Sequence, residues 1–201
     1  MTRWFWLIAG HNGAGKSTVQ PSLATMLGNA VCINPDTLTR SLVNDLFGGQ
    51  GVDPFLTESN LQAARLVEWA LDLHIGQTGS VVVETALSTP KYRPLVERAV
   101  AAGMHFGLVY VCLSSADLAI RRVQTRVGRG GHDVPSDKIR DRRQRSLDQM
   151  PWFAEKADSA LFFCNDDEPR LVARKLGPGQ YQIGDDAILP EVTKPLRALS
   201  R

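Results

Sequence analysis

Cysteine is scarce in this 201-residue chain: there are three, an odd number that cannot pair off completely within one molecule. A disulfide-stapled scaffold is thereby excluded. Cys32, Cys112 and Cys164 each fall in an apolar run, which predicts buried free thiols and suits a reducing, cytoplasmic compartment. Long apolar runs are lacking as well. The longest near the start, Trp4 to Ala9, is far short of the ~20 residues that a membrane helix needs. A glycine-rich turn follows it where a signal-peptide cleavage site would stand. These absences predict a soluble protein with no membrane partner. Aromatic residues make up only 7% of the chain, and none occurs between Tyr110 and Trp152. What remains, 43% hydrophobic and 22% charged, is an ordinary globular composition, and the length suits one domain over 1–201.

Five apolar runs predict strands: Arg3–Ala9, Ala30–Asn34, Ser80–Glu84, Gly107–Leu113 and Ala160–Cys164. Most are continuous rather than alternating, as in strands buried on both faces of a parallel sheet. Helical patterns lie between and after them, over Lys16–Leu27, Thr57–Gln77, Pro90–Ala102, Ala116–Arg126 and Ser136–Leu147. In the second of these, Leu61, Ala64, Val67, Leu71 and Ile75 form the apolar stripe of a helix lying on a sheet. Ser115 is placed to cap the fourth. The glycines and proline of 48–54 predict a loop, and Gln180–Ile183 reads as a short strand after the Gly177-Pro-Gly179 turn. This alternation is the α/β signature: an open parallel five-stranded sheet flanked by helices.

Charge is unevenly spread. Between Arg121 and Arg145 lie nine basic and three acidic residues, so that segment carries +6 and the remainder −4, for a total of +2. A nucleic-acid surface, a solvated helix face and a polyphosphate clamp all fit such a block. The lack of interleaved aromatics argues against nucleic acid.

The most specific local signal is Gly10-His-Asn-Gly-Ala-Gly-Lys-Ser17, which matches G-x-x-x-x-G-K-[ST] at every defined position. It follows a predicted strand and opens a predicted helix, the context that the motif requires. The glycines let successive backbone N–H groups curl around a phosphate, and the helix start adds its positive dipole end. Gly10, Asn12, Gly13, Ala14, Gly15, Lys16, Ser17 and Thr18 are therefore the candidate nucleotide-binding residues. Lys16 reaches the β- and γ-phosphates, and the Ser17 hydroxyl is a Mg²⁺ ligand. His11 reads as an outward-pointing spacer. Leu46-Phe-Gly-Gly-Gln50 resembles the signature of transporter ATPases, but it stands only about 30 residues after the phosphate loop and not before a predicted strand; it reads as a loop.

A phosphate loop identifies the donor and not the acceptor. Transfer to a hydroxyl needs a carboxylate to take the proton and cations to hold the migrating charge. Two carboxylates fall at the carboxyl ends of predicted strands, where ligands collect in open parallel sheets. They are Asp36, in Ile33-Asn-Pro-Asp36, and Glu84, in Val81-Val-Val-Glu84, followed by Thr85 and Ser88. The plain alternative for each is a turn or helix-cap carboxylate. Arg122 and Arg126 share one helical face, and Arg142 and Arg145 follow beyond a glycine-rich hinge. That spacing predicts an arginine-rich lid over roughly 127–147, with His132 at its hinge, while Arg121, Arg140 and Arg143 read as solvated.

Taken in order, Ala9-Gly-His-Asn-Gly-Ala-Gly-Lys-Ser-Thr18, Ile33-Asn-Pro-Asp36, Glu84-Thr-Ala-Leu-Ser88 and Arg122…Arg126…Gly130-Gly-His-Asp-Val-Pro135 resemble the zeta-toxin family of P-loop kinases. The resemblance implies a P-loop kinase fold and a kinase that uses ATP or GTP with Mg²⁺ to phosphorylate a hydroxyl of UDP-N-acetylglucosamine. It also implies a small antitoxin protein as partner. Carried over residue by residue, Asp36 resembles the catalytic base, and Glu84 the sugar-binding or metal-organising carboxylate. Thr85, Ser88 and His132 are then substrate contacts. Lys16, Arg126 and Arg142 resemble the groups that stabilise the transferring phosphate, and Asn165 falls where such kinases approach the adenine. The sequence also leaves open another small-molecule acceptor (a sugar, nucleotide or antibiotic hydroxyl) and a nucleotide-gated binding module without phosphoryl transfer.

Overall fold

The computed structural model describes residues 2–34, 65–66, 68–75, 79–130 and 133–200. Its frame is a seven-stranded sheet in the order β2-β3-β1-β4-β5-β6-β7. The first five strands are β1 (Trp4–Ala9), β2 (Val31–Ile33), β3 (Val81–Thr85), β4 (His105–Cys112) and β5 (Ser159–Cys164), and all are parallel. Phe5 to Ala9, Val81 to Val83 and Phe106 to Cys112 are buried without interruption, as their unbroken apolar runs predict. The other two, β6 (Arg170–Gly177) and β7 (Gln180–Ile183), add an antiparallel hairpin. The expected five strands are thus correct but incomplete. The short β7 was legible, whereas β6 carries Arg170, Arg174 and Lys175 and has an irregularity in its pairing with each neighbour, which breaks the alternation a half-buried strand shows.

Among the described residues seven helices accompany the sheet: α1 (Lys16–Val19), α2 (Ala24–Leu27), α3 (68–75), α4 (Arg93–Ala101), α5 (Ala116–Val127), α6 (Ser136–Lys156) and α7 (Pro190–Leu199). The helix expected over Lys16–Leu27 is interrupted by a 3-10 turn at Gln20–Leu23. Pro21 is the reason, since it has no N–H to give an α-helical carbonyl and its ring crowds the preceding turn. Conversely, α6 runs past Leu147 through Pro151 to Lys156. Met150, Phe153 and Ala154 are fully buried there. At ~1.5–3 kcal/mol for each large apolar side chain, their burial offsets the ~3 kcal/mol cost of an interior proline. Ser115 caps α5 as expected, its Oγ accepting from Leu118 N–H at 3.2 Å. Of the stripe expected along 57–77, Leu71 and Ile75 are buried; Leu61, Ala64 and Val67 lie outside the described side chains.

One sheet face packs Leu7, Val83, Leu108 and Tyr110 against Leu95 and Val96 of α4, Leu147 and Phe153 of α6, and Val192 and Leu196 of α7. The other packs Trp6, Ile8 and Val109 against Ala14, Val19 and Leu23. A third cluster joins α5 to the start of α6 through Ile120, Val123, Val134 and Ile139. Residues 136–147, expected as half of an arginine-rich lid, are therefore the first turns of a helix rooted in the core. Among the described residues no helix is long and apolar enough to cross a membrane.

The strand order places the site. From β1 the chain runs to β2 and β3 on one side, then crosses to β4 on the other. The carboxyl end of β1 is thus a topological switch point, with connections leaving in opposite directions and a crevice between them.

Candidate functional site

The phosphate loop leaves β1 in that crevice. Gly10, Gly13 and Gly15 have φ of +149°, +80° and +82°, which side chains rarely tolerate. A Cβ on Gly10 would lie 2.1 Å from the Val111 carbonyl oxygen, and one on Gly15 would lie 2.1 Å from Asn165 Nδ2. The loop is consequently pressed against the sheet ends by its lack of side chains. Gly10 N–H donates to Thr85 O at 3.2 Å, tying the loop to β3.

Lys16 spans the loop. Its Nζ donates to Gly10 O at 2.8 Å and pairs with Glu84 Oε1 at 3.7 Å. Glu84 is in register with Ile8, two residues before the loop, because β1 and β3 are paired in parallel. Its other oxygen, Oε2, accepts from Asn34 Nδ2 at 3.0 Å, just beyond β2. Three strand ends therefore meet at one carboxylate. Immediately after it, Thr85 Oγ1 accepts from Leu87 N–H at 3.0 Å, and Leu87 holds φ at +53°, an uncommon conformation for a branched residue. This turn aims 85–89 into the crevice.

Two cavities flank the Lys16–Glu84 pair. The first, of about 310 Å³, is lined by Gly13, Gly15, Ser17, Thr18, Arg122, Arg126, Asn165 and Asp167. The second, of about 290 Å³, is lined by Asn12, Asn34, Thr85, Ser88, Lys91, Tyr92 and Arg142. Lys16 and Glu84 line both. Of the two arginines expected to act together, Arg126 borders the first cavity, while Arg142 borders the second and donates through Nη1 to Asn12 Oδ1 at 3.2 Å. Ser17 and Glu84 also share the first cavity. An exposed hydroxyl and a half-buried carboxylate suit Mg²⁺, which binds oxygen and takes its remaining positions from water and phosphate. Among the described residues no cluster of three or more His, Cys, Asp or Glu forms a closed metal cage.

Asn165, expected near the base, lines the first cavity and also touches the phosphate loop. It is 2% exposed, and its Nδ2 donates to Ala14 O at 2.9 Å and to Gly15 O at 3.4 Å, bracing the phosphate loop from below. Arg122 secures the same segment by donating through Nη2 to Asp166 O. Asp36 and His132 lie outside the described residues, as do the loop at 48–54 and Leu46–Gln50.

Three expectations need correction. His11 is not an outward spacer but fully buried; burial, with smaller contributions from Arg143 and Lys16, lowers its pKa to about 4. Its Nδ1 faces Asn12 O at 2.9 Å, and since a carbonyl only accepts, Nδ1 carries the proton. Arg143 is not solvated but 7% exposed. The spacing Ile139, Arg143, Leu147 puts it on the buried stripe of α6, a signal present in the sequence and outweighed by the residue's charge. Cys32, on edge strand β2, is exposed, while Cys112 and Cys164 are buried free thiols as expected. Sequence reasoning also passed over Asn34, Lys91 and Tyr92. Asn34 stands within the quoted Ile33–Asp36 run, but no sequence signal marks an amide as a carboxylate's partner.

This arrangement has known counterparts. A chain from the AvrRxo1-ORF1:AvrRxo1-ORF2 complex superposes with a TM-score of 0.67 at 21% identity, covering 97% of this chain and 64% of its own length. This chain thus spans less than two thirds of that relative. A chain from the PezAT chromosomal toxin-antitoxin system of Streptococcus pneumoniae matches with a TM-score of 0.60 at 16% identity, covering 84% of this chain and 70% of that one. A kinase described from Chloroflexus aurantiacus matches at 0.54 and 19% identity, covering 72% and 76%. At these identities the likeness shows a shared P-loop kinase fold. No curated protein sequence matches. The model described as Zeta toxin matches residues 3–170, from the strand that launches the phosphate loop to the first residue of β6. Having both cavities within that span, the chain belongs to the Zeta toxin family.

Proposed function

We propose that this protein is a kinase that moves the γ-phosphate of ATP or GTP, with Mg²⁺, onto a hydroxyl of a small-molecule acceptor. The observation that carries this reading is the common wall of the two cavities. A donor seated on the phosphate loop and an acceptor seated against 85–92 would meet across Lys16 and Glu84. In-line transfer needs that arrangement, two bound partners with a cation at the junction. The structure of the AvrRxo1-ORF1:-ORF2 complex with ATP supports a nucleotide donor.

Within this reading the acceptor hydroxyl attacks the γ-phosphorus, its proton passes to the Asp36 carboxylate, and the nucleoside diphosphate leaves. Asp36 stands two residues after Asn34, whose amide holds Glu84. Lys16, Arg126 and Arg142 offset the charge that develops on the transferring group, from the loop and from either side. Ser17 and Glu84 would hold Mg²⁺, which screens the phosphate charge. Thr85 and Ser88 offer hydroxyls to the acceptor, with His132 as a further contact. UDP-N-acetylglucosamine or a related sugar nucleotide is the acceptor implied by family membership, and the toxin-antitoxin neighbour supports a small antitoxin protein as partner. The unpaired Cys112 and Cys164 support a cytoplasmic setting.

The test is incubation with Mg²⁺–ATP and UDP-N-acetylglucosamine beside a panel of sugars and nucleotides, read by mass spectrometry for one added phosphate. Asp36→Asn is expected to lower transfer ~10²–10⁴-fold while leaving nucleotide binding intact. Transfer to another panel member would keep the kinase and change the acceptor. No transfer to any would overturn the reading.

A further inference from the structure

The wall of the second cavity is rich in groups that can give a hydrogen bond and poor in groups left to receive one. Its carboxylate, Glu84, already faces Lys16 Nζ with Oε1 and Asn34 Nδ2 with Oε2. Asn12 Oδ1 already accepts from Arg142 Nη1. Thr85 Oγ1 accepts from Leu87 N–H, which leaves its hydroxyl hydrogen to donate. The wall therefore offers a ligand chiefly positive charge and hydrogen-bond donors.

Three cations border this cavity, Lys16, Lys91 and Arg142, against the one carboxylate. Adding Asp36 as the proton acceptor still leaves a positive excess. Lys16 and Arg142 already have a place in the transfer step, and Lys91 has none. It lines the second cavity and not the first, so a nucleotide on the phosphate loop is not what it faces. Its ammonium lies 5.0 Å from the centroid of the buried Tyr92 ring, which favours a cation at that point of the wall. Among the described residues no carboxylate lies within ion-pair reach of Lys91 or Arg142. Two unneutralised cations on one cavity repel each other, and an entering anion relieves that repulsion.

We propose that Lys91 is a specificity-determining residue: it binds a phosphate group carried by the acceptor, so that the second cavity selects phosphorylated small molecules over neutral ones. The inference deepens the kinase reading, on which it rests for the cavity's role as the acceptor site. It sets aside the free sugars and the neutral or cationic antibiotics that the sequence leaves open. Phosphate monoesters and pyrophosphates share this chemistry, and probes that carry each on the same sugar separate them.

The experiment fills the phosphate loop with Mg²⁺ and a non-hydrolysable ATP analogue, then titrates three probes by calorimetry: N-acetylglucosamine, its 1-phosphate and UDP-N-acetylglucosamine. At least one charged probe is expected to bind about tenfold tighter than the neutral sugar, the scale of one charge-assisted contact. Lys91→Gln is expected to weaken that probe about tenfold and to leave ADP affinity at its wild-type value, while Lys91→Arg keeps most of the binding. Lys91 is exposed, so both variants are expected to fold, which an unchanged melting temperature checks. A loss of less than about threefold in Lys91→Gln overturns the assignment. So does equal affinity for charged and neutral probes, or the absence of binding by both charged ones. A probe that binds through Lys91 yet receives no phosphate from ATP would sink the kinase reading and leave the anion site standing. Transfer to a charged probe with an unchanged acceptor KM in Lys91→Gln would do the reverse.

Discussion

Asn165 permits a prediction whose ordering is unusual. Its amide lies beneath two carbonyls, Ala14 O at 2.9 Å and Gly15 O at 3.4 Å, so the nitrogen must be the atom that faces them. Asn165→Ala leaves those acceptors without their donor in a site 2% exposed, at a cost of roughly 1–3 kcal/mol. For a chain of this size that is a fall of about 2–4 °C in melting temperature per kcal/mol. Asn165→Asp is nearly isosteric and should be worse. It sets a carboxylate oxygen against two carbonyl oxygens and brings a negative charge to the cavity where phosphates would sit. The Asp variant should therefore melt below the Ala variant at pH 8 and bind ADP less tightly. Burial and the facing carbonyls raise the pKa of the introduced carboxyl, and its protonated form regains a donor. The deficit of the Asp variant should shrink as the pH falls from 8 toward 5. Scanning calorimetry of wild type and both variants at pH 8 and pH 5 would show this. An Asp variant at least as stable as the Ala variant at pH 8 would refute the bracing role.

Two further predictions follow from burial. Because the pKa of His11 is held near 4 against an ordinary value of 6.5, the unfolded chain binds its proton first as the pH drops. The stability contribution is complete above pH 6.5 and is lost progressively as the pH falls toward 4, amounting to about 3 kcal/mol. His11→Leu should flatten that part of the pH–stability curve, as followed by urea unfolding; an unchanged curve would mean that His11 is not the titrating group. Ellman's reagent should modify Cys32 quickly in the native protein and leave Cys112 and Cys164 intact until unfolding, since Cys32 is exposed and burial pushes the Cys112 thiol up to about 12. Fast labelling of more than one thiol in native protein would contradict the burial of that pair.

Legibility varied with the distance over which each feature is decided. The first five strands could be read because burial on both faces demands unbroken apolar runs, and Phe5 to Ala9 and Val81 to Val83 supply them. Strand β6 could not, since an added antiparallel strand with three basic residues in eight is stabilised by its neighbours more than by its own pattern. The adjacent residues Arg142 and Arg143 show the same limit. One turns toward Asn12 and the second cavity, the other into the core, because successive side chains on a helix point about 100° apart. Which of them faces the cavity depends on the rotation of α6, and its packing on the sheet decides that.

Taken alone, the sequence determined the phosphate loop, the parallel core of the sheet and the carboxylate Glu84 at a strand end. Each is a local matter, governed by backbone geometry that only glycine tolerates or by the solvent exposure of a short run. The tertiary structure alone decided that Lys16 and Glu84 divide two cavities and that Asn34 holds Glu84. It likewise decided that Asn165 braces the loop and that Glu191 pairs with the buried Arg143. These contacts join residues up to 151 positions apart, as from Asn165 to Ala14. Parallel pairing and the reversal at β1 bring such residues together, and no local pattern along the chain encodes which distant partner will arrive.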